Sequence, residues 1–153
     1  MTDKVSPEVR SRIMASIKGK DTKPEMIIRK MLHALGFRYR LHVKNLPGCP
    51  DIVLPKYKAV IMVNGCFWHG HGCQAHNKPK SRVEYWEEKI SKNQTRDAKN
   101  NKHLHELGWR VATIWECAIF GKTKIMIDEV AKLITEWIKS RDTELILKGA
   151  KEK

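Results

Sequence analysis

No run of apolar residues in this 153-residue chain is long enough to cross a bilayer. The opening residues, MTDKVSPEVR, lack the apolar core of a signal peptide. Both absences lead to the expectation of a cytoplasmic protein. Cysteine is scarce, with four in the chain. In an intracellular protein that argues against a disulfide framework, and with histidines close by it argues for metal. No internal repeat and no clear second domain can be read along the sequence, so one domain with one hydrophobic core is expected. Acidic residues are in deficit: 17 against 30 Lys plus Arg, a formal charge of +13. So large an imbalance costs self-repulsion in the folded state. It points past simple solubility to a polyanion partner, a nucleic acid or a membrane surface.

What is present divides into segments. Residues 6–18 carry a helix start, with Ser6 as N-cap, Pro7 at the first helical position and Glu8 in the first turn. Val9, Ile13, Met14 and Ile17 fall at helical spacing, so residues 1–19 are expected to form an arm or helix. Thr22, Pro24 and Gly36 bracket a second helix. FRYRLHV and DIVL read as strands, and AVIMV as the central strand. A long loop over 65–80 follows, then a polar helical region from Ser81 to Leu107 with a possible break near 93–95. WRVATIW is a further buried strand and TKIMIDEVAKLITEWIKS an amphipathic helix. The expectation is an α/β fold, one mixed sheet flanked by helices over residues 20–141, with a flexible tail at 142–153.

GCFWHGHGC, residues 65–73, crowds two cysteines, two histidines and two aromatics onto the end of the central strand. Cys66, His71 and Cys73 supply three donors of the kind structural zinc takes. If WRVATIWE runs parallel to AVIMV, Cys117 reaches the same sheet edge and makes a fourth. His69 is the substitute for His71. The bland alternative is that Cys66 and Cys117 are buried thiols beside their strands. Cys49 is left over as an ordinary thiol.

Asp51 stands at the start of DIVL. In an antiparallel hairpin that start lies beside the end of AVIMV, near Val63 and Asn64, and so near His69. A carboxylate beside a backbone carbonyl begins a magnesium site, and a neutral imidazole can take a proton from water. These parts suit metal-assisted phosphodiester hydrolysis. Read alone, Asp51 is more often a turn or cap residue, His69 equally a ligand, and Glu25 and Asp97 ordinary solvated acids. Phe67, Trp68, Tyr85 and Trp86 either bury inward or stack on bases. Met14 and Ile17 could approach a duplex from the other side. Trp109, Trp115 and Trp137 are assigned to packing.

LPGCPDIV, GCFWHGHGC, YWEEKISKNQTRD and ELGWRVATIWEC, taken together, resemble the very short patch repair endonucleases, a bacterial family of mismatch nickases. The resemblance implies a restriction-endonuclease-like fold with zinc held by Cys66, His71, Cys73 and Cys117. It implies magnesium on Asp51 and the main-chain carbonyl of Val63, with His69 as general base supported by Asp97 and Glu25. It implies that Phe67, Trp68 and Trp86 enter DNA from the major groove and Met14 and Ile17 from the minor groove. Lys89 and Asn93 would face the mismatched pair. The implied partner is double-stranded DNA with a thymine opposite guanine, where 5-methylcytosine has deaminated. A monomer, mismatch-repair proteins as helpers and no membrane role are implied as well. Asn64 departs from the family, where histidine is frequent. An amide can hydrogen-bond a water or phosphate but cannot exchange a proton near neutral pH. The rival readings are a restriction-type enzyme acting on matched sites and a non-catalytic zinc-stabilised DNA-binding module.

Overall fold

Helix α1 spans Lys23–Ala34 and starts as its sequence dictates. Thr22 is the N-cap, its hydroxyl accepting the Glu25 N–H at 3.5 Å, and Pro24 sits in the first turn, where its missing N–H costs nothing. Gly36 follows with φ of +92°, the left-handed exit that glycine takes without strain. This computed structural model describes residues 22–71 and 81–149. The expected helix at 6–18, with Met14 and Ile17, and the expected zinc ligand Cys73 lie outside them.

Five strands form one sheet in the order β1-β2-β3-β4-β5. They are β1 (Arg40–Leu41), β2 (Ile52–Leu54), β3 (Ala59–Asn64), β4 (Arg110–Trp115) and β5 (Glu144–Leu147). The first three pair antiparallel. β3, β4 and β5 run parallel, joined through helices α2 (Val83–Glu106) and α3 (Ile127–Lys139). Parallel neighbours need such crossovers.

Strand alternation divides the core. Ile52, Leu54, Ala59, Ile61, Ala112 and Ile114 face α1 and α3, where Ile28, Leu32, Val130, Ile134 and Ile138 meet them. Val53, Val60 and Val111 point to the opposite face and are covered by Leu104 of α2. Leu104 is the one buried residue of that helix, so most of α2 lies on the surface.

Three local expectations change. FRYRLHV yields only a two-residue strand, because His42 takes left-handed backbone with φ of +48°. The polar helix runs unbroken for 24 residues, since no proline or glycine interrupts 93–95. Residues 144–147, expected within a flexible tail, pair with β4 from Val111↔Glu144 to Ile114↔Leu147, and Leu147 is buried. Among the described residues no helix is long and apolar enough to cross a membrane.

Candidate active site

The parallel register of β3 and β4 sets Asn64 against Trp115. Two residues further on, Cys66 and Cys117 leave the same sheet edge, both buried. The loop then winds back on itself. The His69 N–H donates to the Gly65 carbonyl at 3.2 Å and the His71 N–H to the Cys66 carbonyl at 3.0 Å. The ligand atoms of Cys66, His71 and Cys117 lie within 4.8 Å of one another. Cys117 Sγ and His71 Nδ1 are 3.6 Å apart. That is about the edge of a tetrahedron with Zn–S near 2.3 Å and Zn–N near 2.0–2.1 Å, so these donors fit zinc. The Gly149 N–H donates to Cys117 Sγ at 3.2 Å, an outer contact that favours the thiolate. Trp115, assigned to packing from sequence, is only half-buried and stacks on His71 with centroids 4.2 Å apart and planes 10° apart. Strand alternation sends it out beside the loop.

His69 occupies the same loop with a different partner. Its Nδ1 meets Asp97 Oδ2 of α2 at 2.5 Å. With Asp97 accepting an Nδ1–H, the Nε2 lone pair is left for a proton. Helix α2 grips the loop twice more. Asn93 Nδ2 donates to the Trp68 carbonyl and Gln94 Nε2 to the Gly70 carbonyl, each at 2.9 Å. Gly70 has φ of +62°, and a Cβ there would come within 2.4 Å of Gln94 and 2.5 Å of Ile90.

At the other side of β3, Asp51 Oδ2 accepts the Val63 N–H at 2.8 Å. A residue's N–H and C=O leave a strand on the same side, so the Val63 carbonyl also turns toward the Asp51 side, where β2 has not yet begun. Glu25 is 1% exposed, and its Oε2 meets His42 Nε2 at 3.0 Å and Arg29 Nη1 at 3.2 Å. Ligand atoms of Glu25, His42 and Asp51 fall within 4.8 Å of one another. Burial raises the Asp51 carboxyl from 3.8 to about 7. The Val63 N–H opposes the rise, and Glu25 adds to it by charge and by a hydrogen bond. The donor set of Asp51, Glu25 and a nearby carbonyl fits a hard divalent cation.

Phe67, Trp68 and Trp86 gather into an edge-on group with centroids 5.2 to 5.6 Å apart, all half-buried. Lys89 and Asn93 share a helical face with Trp86, and Lys89 is exposed. Sequence reasoning missed His42. The pairing of Arg40 with Val53 and Leu41 with Ile52 sets residue 42 against 51, a register that only the folded sheet shows. Gln94 was also missed, and nothing in its sequence context marks it.

A family model described as DNA mismatch endonuclease Vsr matches residues 2–75. The DNA mismatch endonuclease Vsr of Escherichia coli is 40% identical over 90% of this chain and 88% of its own length. The chain belongs to the Vsr family of DNA mismatch endonucleases. Type II nicking enzyme V.XorIIP of Xanthomonas oryzae is 50% identical over 78% of this chain and 88% of that one. V.NmeAIP of Neisseria meningitidis is 45% identical over 89% and 96%. Among solved structures, the catalytic domain of homing endonuclease I-Bth0305I overlays on 78% of this chain and 100% of its own, with a TM-score of 0.46 and 24% identity. This Vsr-family chain is thus a DNA endonuclease of the nicking kind. Its charge excess has DNA as the polyanion.

Proposed function

We propose that this endonuclease nicks one strand of duplex DNA beside a thymine opposite guanine. The exposed basic face of α2, with Lys89, Lys92, Arg96, Lys99 and Lys102, draws in the phosphate backbone. Phe67, Trp68 and Trp86 wedge into the duplex beside the wobble pair. A mismatch lowers the cost of unstacking, which is a few kcal/mol per step, and so provides selectivity. Lys89 and Asn93 stand on the wedge's side of α2 and face the pair. Met14 and Ile17, which precede the described residues, approach from the minor groove.

Asp51 and the Val63 carbonyl would hold magnesium, with Glu25 beside Asp51. Magnesium at that position supplies charge stabilisation for the phosphate and the leaving oxygen. His69 Nε2 takes the proton of the attacking water, and Asp97 fixes the tautomer and orients the ring. Asn64, at the end of β3, can offer its amide to a water or phosphate but no proton. Cys66, His71, Cys73 and Cys117 hold zinc, whose part is to fix the loop that carries His69 and the wedges.

The observation that carries this reading is the His69–Asp97 pair, set on the loop that leaves the strand whose Val63 N–H holds Asp51. The test compares a thymine–guanine duplex with its thymine–adenine match, with and without magnesium. The expected product is a single-strand break, on the mismatched duplex only, that requires magnesium. Equal cutting of the matched duplex, or double-strand breaks, would favour a restriction-type enzyme instead.

A further inference from the structure

The geometry points to His42 as a ligand of the nicking centre's divalent cation, giving that centre a nitrogen donor that favours a first-row transition cation over magnesium. This rests on the reading of Asp51 as the cation's carboxylate and extends it to which cation is taken.

Three observations bring His42 to the site. Its backbone N–H donates to the Asp51 carbonyl at 3.2 Å, which fixes the two residues side by side. Its φ of +48° ends β1 in left-handed backbone, which histidine, like asparagine and aspartate, adopts more readily than other side chains do. Its Nε2 lies 3.0 Å from Glu25 Oε2, and both are within 4.8 Å of an Asp51 oxygen. A separation of 3.0 Å is the cis edge of an octahedron with bonds of about 2.1 Å. That pair already stands at the spacing of neighbouring ligands, with an Asp51 oxygen within 4.8 Å of both.

Charge and chemistry agree. Two carboxylates face one another here, one of them 1% exposed. Arg29 compensates Glu25 from one side. Asp51 completes the cluster, its oxygen within 4.8 Å of donor atoms of both Glu25 and His42. A cation would take the place of the direct His42–Glu25 contact, with the imidazole nitrogen donating its lone pair. Magnesium keeps to oxygen donors and sheds water reluctantly. A site of two carboxylates and one imidazole suits manganese, iron or cobalt better.

The test uses the zinc-loaded full chain and manganese as the probe. Electron spin echo spectra of bound manganese report whether an imidazole nitrogen coordinates it. The wild type is expected to show imidazole-nitrogen modulation. His42→Asn, which tolerates the left-handed backbone, should lose it, and His69→Gln should keep it. In parallel, the ratio of manganese to magnesium affinity should fall at least tenfold in His42→Asn, with His42→Gln as a second variant. Modulation absent from the wild type, or persisting in both His42 variants, overturns the inference. Asp51→Asn separates the layers. If it loses manganese binding and nicking while His42→Asn keeps the nitrogen signal, only the role of His42 falls. If Asp51→Asn still nicks, the Asp51 reading itself falls.

Discussion

Two clusters of side chains whose donor atoms could hold a metal flank the end of β3, and they are built to opposite plans. Cys66, His71 and Cys117 form a sulfur-rich group with both thiols buried, fixed by parallel pairing of β3 and β4 and closed over by Trp115 and Gly149. Glu25, His42 and Asp51 form a carboxylate-rich group fixed by antiparallel pairing of β1, β2 and β3, with Glu25 buried and His42 and Asp51 partly buried. Soft, enclosed donors suit a cation that stays and stabilises. Carboxylate-rich donors suit one that meets a phosphate. On the proposed function, the first cluster carries stability and the second chemistry.

The largest effect belongs to Asp51→Asn. Nicking should fall about 10⁴-fold, the loss of several kcal/mol of charge stabilisation. Yet the same variant should be the more stable protein at pH 8 without divalent cations. The folded carboxyl titrates near 7, against about 3.9 unfolded. Between those values the folded state holds a proton that the unfolded state has lost. The stability it contributes is full below about pH 4 and is lost as pH rises to about 7. Melting curves across this window should show the wild type losing up to about 4 kcal/mol relative to the variant. A variant less stable than the wild type at pH 8 would show Asp51 to be structural.

His69→Gln should lower nicking about 10³-fold, as expected for loss of a general base. Asp97→Asn should cost less, about 10²-fold, because it acts through the ring it orients. Single-turnover assays on the mismatched duplex measure both, and equal melting temperatures should accompany them. Cys117→Ser behaves in the opposite way: zinc content and stability fall together, by about 3 kcal/mol. Full retention of zinc with full stability would remove the structural assignment. The smallest effect is Gly70→Ala. Strain at φ of +62° and contact with Gln94 and Ile90 should cost about 1–2 kcal/mol and blur the choice between mismatched and matched DNA.

Most of this edge was legible because pairing rules act on short distances. Reading AVIMV and WRVATIW as parallel neighbours was enough to send Cys117 toward Cys66. Reading DIVL and AVIMV as a hairpin was enough to bring Asp51 to Val63. What stayed hidden depended on backbone reversals and on burial. Alternation in FRYRLHV makes His42 look like one more strand residue, and no residue type there announces a left-handed φ. Glu25, which among helix acids reads as solvated, is buried because α1 turns its first residues onto the sheet. The strand at 144–147 was hidden by its position after a charged turn near the end of the sequence. Its partner is the open parallel edge of β4, which only the assembled sheet creates.

The division of labour between the two clusters can be read from one sample. The wild type is passed over a resin that strips weakly held divalent cations. Nicking of the mismatched duplex, zinc content and melting temperature are then measured before and after magnesium is restored. Nicking should vanish and return while zinc content holds steady and the protein stays folded. Loss of zinc and fold in step with nicking would contradict it.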